Sequence, residues 1–233
     1  MSVTKASPRR VLVISPHTDD ELFGLGGTLL KLKATAPDTS IKLVVMSCST
    51  RYLSHLGRDI TAEEQWGEFS ECAKHLSTEP PGRYMLDSRL ELEPCYRIVR
   101  WLDELVQDFK PTTVFIPEPS YHQEHQLVYR SCIAACRPTF GEKSIQDVYL
   151  YEIPTSCWSG PDGIFKPNVY VDIATTIDEK VRLFKETYRL QYTTDKRNKL
   201  GENGIVSHAQ YRGTEAGQLY AESFMLIRST GVL

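Results

Sequence analysis

At 233 residues the chain is long enough to bury a sizeable core, and its 41% hydrophobic and 24% charged residues are those of a globular protein, with little room for disorder. The length fits one domain over residues 1–233. A net charge of −3 gives no basic surface for nucleic acid or an anionic membrane and points to small-molecule or neutral substrates.

The opening MSVTKASPRR is polar and lacks the apolar segment of a secretory signal, and no run of about 18 apolar residues follows. Residues 10–15 (RVLVIS) read as a buried strand, followed by HTDDE at 17–21 and a helix over 22–34. A strand over 41–47 (IKLVVMS) leads to a helix over 61–76 and a short strand over 83–86. EPCYRIVRWLDELVQDF then sets Ile98, Val99, Leu102, Leu105, Val106 and Phe109 on the stripe of an amphipathic helix. A strand over 113–117 (TVFIP) precedes the polar YHQEHQ at 121–126 and a helix over 123–137. Strands over 148–152 and 169–173 flank an irregular excursion at 154–168, and a helix spans 177–191. Residues 192–214, polar and poorly periodic, read as a loop. This alternation predicts an α/β fold with a mainly parallel central sheet and helices on both faces.

Six cysteines, at 48, 72, 95, 132, 136 and 157, are scattered and form no C-x-x-C pair. They read as reduced packing residues of a cytoplasmic protein rather than a disulfide framework. Gly24, Gly26 and Gly27 fall inside the first helical turns, too late after the strand for a dinucleotide fingerprint, and beside carboxylates that would repel phosphates. They are expected to allow close packing of helix on sheet.

Ligands of doubly wound sheets collect outside the carboxyl ends of the strands, where strand order reverses. In the order 3-2-1-4 the strand at 113–117 neighbours the first, so HTDDE and HQEH face one crevice. His17 and Asp20 are three apart and point the same way, whereas Asp19 diverges from Asp20; His122 and His125 repeat the spacing around Glu124. Two imidazoles and a carboxylate from separate turns make a zinc site with water at an open position, and a further carboxylate beside it can accept that water's proton. Plainer readings stand alongside. Asp19, Asp20 and Glu21 also suit a helix N-terminus as caps, and the two histidines suit a surface pair at a helix start. The coincidence of both clusters at strand ends favours metal, and spacing alone leaves open which of His122 and His125 holds it.

SPHTDDE and HQEH together resemble the PIG-L/LmbE-like family of zinc-dependent sugar de-N-acetylases, whose signature is His-Pro-Asp-Asp-Glu after the first strand and His-x-Asp-His after a later one. VYLYEIP, PNVYVDIATTIDEKVRLF and the closing YRG and YAESF extend the likeness over most of the chain. The resemblance implies a Rossmann-like three-layer fold and one Zn2+ per chain, Fe2+ being another candidate, held by His17, Asp20 and His125. It makes Asp19 the general base, gives a protonated His122 the task of stabilising the oxyanion, and has Glu124 orient His122. The implied reaction is removal of acetate from an N-acetyl sugar or glycoconjugate. Asp87 matches a hydroxyl-binding aspartate of the family, with a turn or cap as its plainer reading. Arg51, just past the second strand, and Arg212, beside Tyr211, are candidate substrate contacts; a solvated arginine and a Gly-containing turn explain them as well.

The chain departs from the pattern at Thr18, in place of proline, and at Glu124, longer by a methylene than the family's aspartate. Gln65 and Glu68 stand where many relatives carry Arg-x-x-Glu. His55, His75 and His208 read as surface or local hydrogen-bonding residues, Trp66 and Trp101 as helix core, and Trp158 as loop. The alternatives are a metal-binding protein without turnover and an amidase acting on a non-sugar amide. Asp19 weighs toward an enzyme, because binding alone needs no base beside the metal. Strand-helix alternation weighs against a non-haem Fe(II) oxygenase, whose usual scaffold is all-β. Nothing in the sequence selects an oligomeric state.

Overall fold

The computed structural model describes residues 9–138, 144–154, 165–192 and 201–230. Cys157 and Trp158, and most of the excursion expected at 154–168, lie outside the described residues. The strands are β1 (Arg10–Ser15), β2 (Ser40–Cys48), β3 (Arg51–Leu53), β4 (Arg58–Ile60), β5 (Gly82–Leu86), β6 (Thr113–Pro117), β7 (Asp147–Tyr151), β8 (Val169–Asp172) and β9 (Ala221–Ser229). The helices are α1 (Asp20–Thr35), α2 (Ala62–Leu76), α3 (Cys95–Phe109), α4 (Gln123–Ala135), α5 (Ile177–Thr187) and α6 (Glu202–Ala216), with a 3-10 turn at Leu90–Leu92.

Seven strands form one sheet in the order β5-β2-β1-β6-β7-β9-β8. The first five run parallel, and β9 pairs antiparallel with both β7 and β8. β1 is apolar because it is covered on both faces: Val11 and Val13 point into one core, Leu12 and Ile14 into the other. α1, α2, α5 and α6 pack on the first core through Leu22, Phe69, Phe184 and Ile205. α3 and α4 pack on the second, where the predicted stripe of Ile98, Leu102, Val106 and Phe109 is buried. The expected 3-2-1-4 order is present as β5-β2-β1-β6, so strand order reverses at β1 and the crevice opens beyond its carboxyl end.

α1 lies unusually close to the sheet. A Cβ on Gly24 would stand 2.2 Å from Cδ2 of Tyr151, whose hydroxyl donates to the Ile14 carbonyl at 2.9 Å. The helix kinks at Leu25 (φ −148°, ψ 17°), which frees backbone groups inside the fold. Buried partners take them up: Lys180 Nζ donates to the Phe23 carbonyl at 2.7 Å, and the Glu222 carboxylate accepts the N–H groups of Gly27 and Thr28 at 2.9 and 2.7 Å. Lys180 and Glu222 pair at 2.6 Å, so both charges are compensated.

Three expectations change. The stretch read as a loop over 192–214 contains most of α6, whose buried face is Gly204, Ile205, Ala209, Arg212 and Gly213. Ile205 is the one large apolar side chain on that face, the others being small residues and an arginine, so no apolar stripe marks it. β9 and the short β3-β4 hairpin were not anticipated, and the helix expected to reach 191 ends at Thr187. There Tyr188 leaves helical geometry (φ −99°, ψ 52°) and the chain turns toward the mouth of the crevice.

Candidate active site

β1 ends at Ser15, and the chain turns through residues 16–19 into α1. Asp19, the residue before the helix, has φ 100°, a left-handed conformation that a non-glycine residue adopts only under constraint. Its neighbours supply the constraint. Asp20 Oδ2 accepts the His17 N–H at 2.9 Å, and the buried Glu21 carboxylate accepts the Asp19 N–H at 3.2 Å. The other Glu21 oxygen takes the hydroxyl hydrogen bond of Tyr188, so the turn is anchored to the end of α5. Beyond β6, Ser120 Oγ accepts the His122 N–H at 3.2 Å, and His122 caps α4 with Nδ1 accepting the Glu124 N–H at 3.3 Å. His125, buried one turn in, faces back toward α1.

The two turns meet, although their histidines are 108 positions apart. His125 Nε2 lies 3.3 Å from His17 Nδ1 and 3.4 Å from Asp20 Oδ2, and His17 Nδ1 lies 3.5 Å from the same oxygen. An ion about 2.0–2.1 Å from each of three donors at tetrahedral angles holds them about 3.3–3.4 Å apart, so this trio fits a zinc-sized cation. A second grouping, His17 with His122 and Glu124, does not. There Glu124 Oε2 is in direct hydrogen-bond contact with His17 Nε2, which leaves no room for an ion between them.

Charge in the trio makes the same demand. Burial works against a charged His17, yet the hydrogen bonds it donates to the Asp20 and Glu124 carboxylates lift its pKa to about 10. Burial would likewise raise Asp20, but the His125 and His17 rings hold it below the usual carboxylate range. Two buried carboxylates facing one ring call for positive charge at this point, and a divalent cation supplies it. Asp19 stands apart. Burial, reinforced by the charge of Asp20, pushes its carboxyl well above the ordinary value, against the opposing pull of Arg51. Burial and the nearby His17 and His125 rings push His122 down. That direction favours a neutral ring, whereas the sequence reading had it protonated.

A cavity of about 220 Å³ opens over these groups. Asp19, His122 and the trio line it, together with Arg51, Tyr121, Gln191 and the apolar Phe23 and Ile153. Gln191, Tyr121, Phe23 and Ile153 are wall residues that the sequence reading missed. Gln191 is placed by the early end of α5, where it accepts from Arg51 at 3.1 Å, and no local pattern announces it.

Three assignments are corrected. Asp87 is exposed at φ 49°, and its carboxylate accepts the Thr50 N–H at 3.0 Å; it shapes a turn and does not line the cavity. Arg212 is also absent from the wall: it is buried under α6, with Nε and a terminal nitrogen on the two oxygens of Glu152 at 2.5 and 2.6 Å. The Glu124 side chain reaches His17, while His122 is met only by Glu124's backbone N–H. Gln65 and Glu68 bond to the Ser49 carbonyl and the Leu190 N–H at 2.5 and 2.7 Å, outside the wall. His208 pairs with Glu152 at 3.1 Å, a local contact as expected.

Comparison with known proteins follows the same lines. The family described as GlcNAc-PI de-N-acetylase, PIG-L, matches residues 12–136, more than half of the chain. The diacetylchitobiose deacetylase of Thermococcus kodakarensis is 25% identical over 241 residues, covering 94% of this chain and 83% of that protein. The N,N'-diacetylchitobiose deacetylase from Pyrococcus horikoshii, solved with its inhibitor, superposes with a TM-score of 0.74 at 23% identity over 95% of this chain and 85% of that one. The 4-carboxy-2-hydroxymuconate hydratase GalB from Pseudomonas putida KT2440 does so at 0.70 and 19% identity, over 97% and 99%. At these identities the two superpositions establish the fold.

Proposed function

Because this chain belongs to the PIG-L family, we propose that it is a metal-dependent hydrolase that removes the acetyl group of an N-acetylated amino sugar or its conjugate, giving acetate and a free amine. The observation that carries this reading is the donor trio at 3.3–3.5 Å with an unused buried carboxyl, Asp19, beside it. A trio alone serves storage or structure; a neighbouring base serves hydrolysis.

His17, Asp20 and His125 would hold one Zn2+, or another divalent ion such as Fe2+. A cation held there would supply Lewis acidity toward the scissile carbonyl and would make water more acidic. Asp19 takes a proton from the water whose oxygen bonds to the acyl carbon, a task suited to a carboxyl whose proton affinity is raised by burial. Glu21 keeps that base in its left-handed turn through the Asp19 N–H. His122, with Nδ1 committed as an acceptor, carries its proton on Nε2 and donates to the developing oxyanion. As the C–N bond breaks, the proton on Asp19 passes to the departing nitrogen. Arg51, Tyr121 and Gln191 offer polar groups to sugar hydroxyls at the rim.

No described helix is long and apolar enough to cross a membrane. We read the protein as cytoplasmic from its free cysteines at 48, 72, 95, 132 and 136.

The test is acetate release from N-acetylglucosamine, diacetylchitobiose, larger glycoconjugates and a non-sugar acetamide. Release from the sugars, with Asp19→Asn slowing it about 10²–10⁴-fold while keeping its metal, is the expected result. Release from the non-sugar amide alone would move the substrate class, and release from none would overturn the reading.

A further inference from the structure

His17 is the residue on which both turns converge, and its two ring nitrogens have separate duties. Nδ1 faces Asp20 and His125 at 3.5 and 3.3 Å, and Nε2 meets the Glu124 carboxylate. His122, the ring that the family resemblance pairs with Glu124, has its Nδ1 occupied by the backbone N–H of residue 124 at 3.3 Å. The glutamate side chain is left free to cross from the start of α4 to the turn after β1. It is buried at 9% exposure, so its charge requires a partner, and the ring of His17 is that partner.

From this geometry we infer that Glu124 is a positioning residue for the cation ligand His17, fixing its ring orientation and keeping the proton on Nε2 so that Nδ1 presents a lone pair to the trio. A histidine ligand whose other nitrogen donates to a carboxylate is held in one tautomer and made more basic. The role depends on the length of glutamate. Aspartate is shorter by one C–C bond, about 1.5 Å, enough to open a direct contact beyond hydrogen-bonding distance.

The inference rests on the reading of His17, Asp20 and His125 as a cation site, and the experiment separates the two. Zinc affinity is measured by competition with a chromophoric chelator for the wild type and for Glu124→Gln, Glu124→Asp, His122→Ala and His125→Ala, alongside the visible absorption of the cobalt-substituted proteins. Glu124→Gln and Glu124→Asp are expected to bind zinc about 10–100-fold more weakly, to saturate at higher zinc, and to shift the cobalt bands. His122→Ala is expected to bind within about threefold of wild type, since the ring contributes no contact to the trio beyond packing. Wild-type affinity and spectrum in Glu124→Gln would overturn the inference, as would a loss in His122→Ala equal to that in Glu124→Gln, or full rescue by Glu124→Asp. Failure of the wild type to bind zinc any better than His125→Ala would instead remove the cation site and with it the proposed function.

Discussion

Glu152, just past β7, and Asp20, at the head of α1, are both buried carboxylates with a histidine within reach, yet their surroundings are finished differently. Around Glu152 the protein supplies every counter-charge itself. Arg212 forks onto both oxygens at 2.5 and 2.6 Å, Ser223 donates at 2.5 Å, and His208 adds a contact at 3.1 Å. Around Asp20 the two imidazole nitrogens stand off at 3.4 and 3.5 Å and aim with it at one shared point. A closed cluster of this kind ties α6 to the sheet. An open one, with donors spaced for an ion and a base alongside, is a receptor. Composition does not separate them, since each offers acids, imidazole and burial; whether the valences are already filled does.

The comparison is open to attack at three points. The largest effect is expected from Arg212→Ala, which leaves Glu152 buried without its fork. We expect a loss of about 3–5 kcal/mol in unfolding free energy from urea titration, with zinc uptake intact. Loss of zinc in that variant would erase the distinction between the clusters. Next comes pH. Burial alone would raise Glu152, but His208 and Arg212 hold it at about 2, below its ordinary 4.5. A depressed carboxyl stabilises the fold above the ordinary value, and that stabilisation disappears as the pH falls through about 2. Between about pH 5 and pH 2 the wild type should therefore lose roughly 3 kcal/mol more than Glu152→Gln. Parallel curves would show that the buried pair carries no net stabilisation. The smallest of the three effects belongs to the open cluster. Zinc at about 100 times its dissociation constant should add about 2.7 kcal/mol to wild-type stability, a gain that His125→Ala removes and Arg212→Ala keeps, as thermal melts with and without zinc will show.

Local pattern made much of this molecule readable. β1 and β2 are apolar on both faces, and α3 carries its stripe at helical spacing. α6 escaped the same reading because its buried face carries one large apolar residue, Ile205, among Gly204, Ala209, Gly213 and an arginine, too few for periodicity to register an apolar stripe. β9 hides buried Glu222 and Ser223 at its start, and these become intelligible only beside the α1 kink and Glu152. Arg212 and Asp87 were drawn toward the substrate because an arginine or aspartate in a polar segment looks the same whether it meets a ligand or a neighbouring helix or loop.

By itself, then, the sequence determined the strand-helix alternation, the place of the two acidic and imidazole-rich turns, and the family to which they belong, because each is written in neighbours along the chain. Tertiary structure alone decided that His125 comes within 3.4 Å of His17 and Asp20, that Glu124 turns to His17, and that Arg212 closes on Glu152. Those are relations between groups 60 to 108 positions apart, fixed by how far each side chain reaches across a packed sheet, and no local pattern encodes a reach.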